Sequence, residues 1–118
     1  MARIMIVDDS KFMRNIISET IKEAGHEVIV EAENGMDAIE YYKKFKPDIV
    51  TMDVTMWGKD GIAAVTEILE IDKNAKIIMI SALNEQTMKS TKRDVKAQAF
   101  ITKPFVKADL IKAIEGLL

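Results

Sequence analysis

The stretch MIVDDSKF, residues 5–12, runs three apolar residues straight into two adjacent acids, Asp8 and Asp9. A third acid, Asp53, closes a second apolar run in IVTMDVT. Carboxylates gathered in one crevice raise each other's pKa and lose hydration. A hard dication offsets both effects. Mg²⁺ prefers oxygen ligands, takes one or two carboxylates, and keeps positions for water and substrate oxygens. Two further run ends complete a chemistry: Ser81 in ISA supplies a hydroxyl and Lys103 in ITKPF an ammonium. A cation and a hydroxyl donor beside metal-bound acids suit the oxygens of a phosphoryl group. Asp53 has no role beyond metal binding unless it is the nucleophile, and carboxylates do serve as phosphoryl acceptors.

Taken singly, these residues have plain readings. An Asp at a strand–helix junction is ordinarily a cap or turn residue. A lone Ser is a cap, and a lone Lys is surface charge. Their joint placement is what carries information, and it depends on the elements that position them.

Apolar runs rich in β-branched residues predict strands at Arg3–Val7, Glu27–Ala32, Asp48–Met52, Lys76–Ile80 and Ala99–Thr102. Helical spacing fills the gaps. After Ser10 as N-cap, the residues Phe12, Met13, Ile16, Ile17, Ile21 and Ala24 fall on one stripe that Gly25 ends. NGMDAIEYYKKF predicts a second helix with Ala38, Ile39, Tyr42 and Phe45 inward and Pro47 as the stop. Asp60 is the expected cap of a third, carrying Ile62, Val65, Ile68 and Leu69. A weakly amphipathic fourth covers about 85–96, and a fifth from Val106 carries Leu110, Ile111, Ile114, Leu117 and Leu118.

Strand–helix alternation repeated five times predicts an α/β fold: a doubly wound, five-stranded parallel sheet of flavodoxin type, order 2-1-3-4-5. Ligands of such sheets bind outside the carboxyl ends of the strands, at the switch between strands 1 and 3. Asp8, Asp9 and Asp53 meet there.

The 118 residues make one domain, expected to span 1–118 without an output domain. With no cysteine there is no disulfide framework or thiolate metal site. No apolar run approaches the ~20 residues of a membrane span, and the N-terminus has no signal-peptide pattern. The expectation is a cytoplasmic monomer with no membrane partner. A net charge of −2 disfavours nucleic acid as a partner. His26, the one histidine, reads as structural.

The acid pair after strand 1, the Asp after strand 3, Ser-Ala after strand 4 and Lys-Pro-Phe after strand 5 together resemble the response-regulator receiver domains. With VDDSKFMR and this length, the resemblance extends to the single-domain chemotaxis members and covers essentially the whole chain. It implies that Asp53 is the phosphoacceptor. It also implies that Asp9 and Asp53 ligate Mg²⁺ directly, Asp8 directly or through water, and Thr55 through its backbone carbonyl. Ser81 takes the switch hydroxyl's place, Lys103 pairs with the phosphoryl group, and Phe100 is the switch aromatic. The Lys103–Pro104 peptide is expected to be cis. The implied donor is a phosphohistidine on a histidine kinase, and the implied output is a flagellar motor switch protein. That protein would dock on the face of helix 4, strand 5 and helix 5, where Lys89, Lys92, Arg93, Lys96, Lys103, Lys107 and Lys112 outnumber Asp94 and Asp109. A phosphatase is a further possible partner. The chain is expected not to be an enzyme beyond its own phosphorylation and dephosphorylation. Leu83, two residues after Ser81, predicts slow loss of the phosphoryl group.

Two positions depart from the family. Trp57 stands four residues after Asp53, where Pro is usual; it reads as a tolerated loop substitution or as a shield or partner contact. Lys96 stands where Gly is usual, which would cost roughly 1 kcal/mol or more if that residue has positive φ.

Three other readings compete. A metal-dependent aspartyl-phosphate phosphatase wants Asp-x-Asp on its first strand and a lid, whereas these acids are adjacent. A flavin module wants an amide- and hydroxyl-rich loop after strand 1, whereas this chain has two acids. A phosphorelay intermediate shares the receiver chemistry and differs only in output.

Overall fold

The structure, a computed structural model, describes residues 1–54, 59–81 and 98–118, apart from the side chains of 54 and 59–61. The predicted fourth helix, Thr55, Trp57, Leu83 and Lys96 lie outside the described residues.

The strands are β1 (Arg3–Val7), β2 (Glu27–Ala32), β3 (Ile49–Val54), β4 (Lys76–Ser81) and β5 (Ala99–Thr102). The described helices are α1 (Lys11–Glu23), α2 (Gly35–Phe45), α3 (Lys59–Ile71) and α4 (Lys107–Gly116), the last being the fifth helix predicted from the sequence. All strand pairs are parallel and the order is β2-β1-β3-β4-β5.

Alternation along the strands separates two cores. Met5, Val7, Val50, Met52, Ile77 and Met79 pack beneath α2 and α3 with Tyr42, Val65 and Ile68. Ile4, Ile6, Ile49, Ile78, Ile80 and Ile101 pack on the other face with Ile17 and Ile21 of α1 and Leu110 and Ile114 of α4. The central strands are therefore apolar on both sides, as a covered parallel sheet requires. At about 25 cal/mol per Å² such burial is the main favourable contribution to the fold.

Local signals set the helix ends. Ser10 accepts from the Met13 N–H at 3.3 Å and Asn34 from the Asp37 N–H at 2.8 Å, so both cap their helices. Gly25, at φ +87°, turns the chain after α1 where a side chain would be strained. α2 ends at Phe45, where the predicted segment ends, with Lys46 left-handed at φ 47° ahead of Pro47. The Arg3 guanidinium supports that turn, donating to Phe45 O at 2.9 Å and Lys46 O at 3.1 Å. α3 begins at Lys59, so Asp60 sits inside the first turn and is not its cap. The Gln98 side chain works as an extra rung of the sheet, accepting from Ile77 N–H at 2.8 Å and donating to Ala75 O at 2.6 Å.

The stripe predicted for α1 is rotated. Arg14, Ile17, Ser18 and Ile21 are buried, and Phe12 is 73% exposed. Phe12 lies two residues from Arg14, about 200° around the helix. His26 is structural, as expected. Its Nδ1 accepts from the Ala2 N–H at 3.0 Å and its Nε2 lies 3.0 Å from Glu115 Oε1 on α4.

Two substitutions check this packing. The Thr51 hydroxyl is buried and unbonded. Thr51→Val is expected to raise stability by about 1 kcal/mol in urea unfolding, by removing an unsatisfied group at constant shape. Gln98→Ala is expected to lower it by about 1–3 kcal/mol, because Ile77 N–H and Ala75 O lose their partner.

Candidate functional site

The register brings the acids together. Val7 pairs with Met52, so one step further Asp8 lies beside Asp53. Asp9 joins them in the turn before α1. One carboxylate oxygen from each of Asp8, Asp9 and Asp53 lies within 4.8 Å of the others. From the far side of the sheet, Lys103 Nζ approaches Asp53 Oδ1 to 2.6 Å. The Asp53 side chain is 2% exposed and the lysine 23%, so this ion pair is little screened by water. Its angles are not those of an aligned hydrogen bond.

Lys103 reaches the crevice because its own N–H donates to Ser81 O at 2.7 Å, continuing the β4–β5 ladder past its end. The Lys103–Pro104 peptide is cis, as expected. Ser81 pairs with Val54, next to Asp53, and with Thr102, and it is buried at 2% exposure. Phe100 pairs with Met79, two residues before Ser81, so Phe100 and Ser81 occupy the same side of the sheet. The structure thus gathers Asp8, Asp9, Asp53, Ser81 and Lys103 at one edge and sets Phe100 below Ser81. The Thr55 carbonyl lies outside the described residues.

Asp8 is the most constrained of the acids. It is 2% exposed; Oδ1 accepts from the Ser10 N–H at 2.8 Å, and Oδ2 is buried without a partner. Burial is the largest influence and pushes its pKa up to about 6; Asp53 and Asp9 push the same way, while the Ser10 N–H and Lys103 oppose them. Among the described residues, an unbonded, desolvated oxygen among three carboxylates with one lysine is a donor set lacking positive charge. Hard oxygen donors on one open side fit a small divalent cation.

Arg14 is the residue that sequence reasoning missed. Its Nη1 donates to the Asp8 carbonyl at 2.6 Å, its Nε to Glu31 Oε1 at 3.1 Å, and its Nη2 lies 3.5 Å from Glu33 Oε1. A charged residue on the buried line through Ile17 and Ile21 was the signal that could have found it.

The basic face expected around the last two elements is reduced by the geometry. Lys103 turns into the crevice, and Lys107 lies 3.3 Å from Glu23 of α1. A groove of about 410 Å³ between β5 and α4 is lined by Phe100, Thr102, Asp109 and Lys112 among others. Lys89, Lys92, Arg93, Asp94 and Lys96 lie outside the described residues. Among the described residues, no helix is long and apolar enough to cross a membrane.

A parallel sheet of this order with an acid crevice at its switch point and a lysine opposite defines a receiver-type α/β protein. Residues 4–115 match the response regulator receiver domain family, and the chain belongs to it. It is 48% identical over 112 residues to the chemotaxis protein CheY of Thermotoga maritima, covering 95% of this chain and 93% of that one. Among solved structures it resembles CheY from Borrelia burgdorferi in a CheX–CheY–BeF₃–Mg²⁺ complex (TM-score 0.85, 37% identity, 98% and 87% coverage). It also resembles response regulator TrrA from Thermotoga maritima with Mg²⁺–BeF (TM-score 0.87, 31% identity, full coverage of both). The phosphatase-enzyme and flavin readings are not favoured by these matches.

The raised Asp8 pKa has a stability consequence. Burial pushes the folded carboxyl up to about 6, above the ordinary carboxylate range, so between the two the folded state holds a proton that the unfolded chain releases. Without divalent metal, this group's contribution therefore weakens the fold as pH rises from about 4 to 7, by on the order of 2 kcal/mol. Asp8→Asn is expected to melt higher than the unsubstituted protein at pH 7.5 and to converge with it near pH 4. Millimolar Mg²⁺ is expected to raise the melting temperature of the unsubstituted protein and to move Asp8→Asn much less.

Proposed function

We propose that this chain accepts one phosphoryl group on Asp53 from a phosphohistidine of a histidine kinase, with Mg²⁺ held by Asp8, Asp9 and Asp53. The observation that carries this reading is the buried contact of Lys103 Nζ with Asp53 Oδ1 at 2.6 Å beside two further carboxylates. That arrangement suits a carboxylate nucleophile with a cation ready for the group it receives.

In the transfer, a carboxylate oxygen of Asp53 attacks phosphorus in line with the imidazole nitrogen. The O–P bond forms as the P–N bond breaks, and the bonding pair stays on the departing nitrogen. Lys103 exchanges its contact with Asp53 for one with a phosphoryl oxygen. The Ser81 hydroxyl, on the adjoining strand end, donates to another. When bound, Mg²⁺ would neutralise charge shared between the carboxylates and the phosphoryl oxygens. The protein acts as a stoichiometric acceptor and not as a catalyst on an outside substrate.

The added charge of about −1.5 to −2 alters function only through contacts that differ between two states. Ser81 moving toward the phosphoryl group and Phe100 following on the same side of the sheet would reshape the groove beside α4. The similarity to chemotaxis proteins supports a role in chemotaxis, with a flagellar motor switch protein as the partner docked there. The Borrelia complex with CheX supports a phosphatase as a second partner.

Incubation with acetyl phosphate and Mg²⁺, read by intact mass, is expected to add one phosphoryl group. The addition should vanish with chelator and in Asp53→Asn. Addition that ignores either change would overturn the assignment.

A further inference from the structure

Neighbouring residues in a strand point to opposite faces. In β1, Ile4 and Ile6 enter the core beneath α1 and α4, while Met5 and Val7 enter the one beneath α2 and α3. Continued regularly, that alternation sends Asp8 to the first side and Asp9 to the second. Yet both carboxylates come within 4.8 Å of Asp53. The chain must leave strand geometry between them.

The peptide groups on either side of Asp8 show where. The one before it is still part of the sheet, since Asp8 N–H donates to Ala32 O at 3.0 Å. The one after it is held by a side chain, because Asp8 O accepts from Arg14 Nη1 at 2.6 Å. Arg14 is only 8% exposed. Its remaining nitrogens are turned to Glu31 of β2 and to Glu33 just beyond it, at 3.1 and 3.5 Å. The planar fork is therefore fixed from α1 and from the edge strand, and its one free corner grips one carbonyl.

We infer that Arg14 is a positioning residue for the metal site: it holds the Asp8–Asp9 peptide in the orientation that turns both carboxylates toward Asp53. This rests on the Mg²⁺ reading above. Arg14 acts on the main chain. Burial, the Ser10 N–H and the charges of Asp53, Lys103 and Asp9 are what set the Asp8 carboxyl. A lysine would keep the charge and lose the fork, so it does not substitute.

The test is calorimetric titration with Mg²⁺ of the unsubstituted protein, Arg14→Lys, Glu31→Ala and Asp53→Asn, each paired with metal-free thermal unfolding. Arg14→Lys is expected to weaken Mg²⁺ binding about tenfold, the scale typical of residues that orient ligands. Its phosphorylation by acetyl phosphate should be slow at low Mg²⁺ and recover at saturating Mg²⁺. Glu31→Ala, on a partly exposed edge-strand side chain, is expected to weaken binding in the same direction and carries the test if Arg14→Lys does not fold. Unchanged Mg²⁺ affinity in the folded variants, with only their unfolding temperatures lowered, would make Arg14 a purely structural tie and overturn the inference. Full affinity in Arg14→Lys with loss in Arg14→Met, titrated alongside the others, would also overturn it, by assigning the effect to charge. Mg²⁺ binding that is absent from the unsubstituted protein, or indifferent to Asp53→Asn, would instead sink the metal reading beneath it.

Discussion

One electrostatic imbalance organises this molecule: among the described residues, three carboxylates share a crevice with a single ammonium. Asp8 is buried with one oxygen unbonded, and Asp53 has its side chain almost wholly enclosed. Water, which would ordinarily solvate such charges, is largely excluded from these two, while Asp9 stays exposed. Only a frame that cannot relax will hold like charges in that state, because any local loosening would let them separate and hydrate. The site therefore borrows its geometry from the stiffest part of the fold.

That part is the sheet. The central strands are covered on both faces by interlocked apolar side chains. Their register fixes Asp8, Asp53, Ser81 and Lys103 along one edge without any loop having to choose their positions. The fastenings at the periphery serve the same end. Arg3 ties β1 to the close of α2, His26 joins the start of β1 to α4, and Gln98 anchors the start of β5. The His26 and Gln98 ties satisfy backbone groups that burial would otherwise leave costly, while the Arg3 ties close a turn at the surface.

Such a frame suits a protein whose state is changed by one small group. A dication would relieve the imbalance at the crevice, whereas a phosphoryl group would add negative charge there that Lys103 and the dication would meet. The same strands carry the consequence outward, since Ser81 and Phe100 lie on one side of adjoining strands whose far flank opens on the groove beside α4.

Much of this was written in the chain. Apolar runs of period two and stripes of period 3.6 determined the strands, the helices and the parallel sheet, because burial of those faces leaves few arrangements. Gathering the acids, the hydroxyl and the lysine followed from topology alone, since parallel strands put all their carboxyl ends on one edge. Other features had no local signature. The side of α1 that faces the core turned on the placement of Arg14, so Phe12 lies outside. The ties of Arg3 to the close of α2 reach across some forty residues of sequence. The pairing of Lys103 with Asp53 and the grip of Arg14 on the Asp8 carbonyl join residues through angles and depths that no spacing encodes. The sequence by itself determined which groups come to the crevice. Only the tertiary structure decided which way adjacent acids face and how deeply they are desolvated, because direction and burial belong to the packed neighbours and not to the residue.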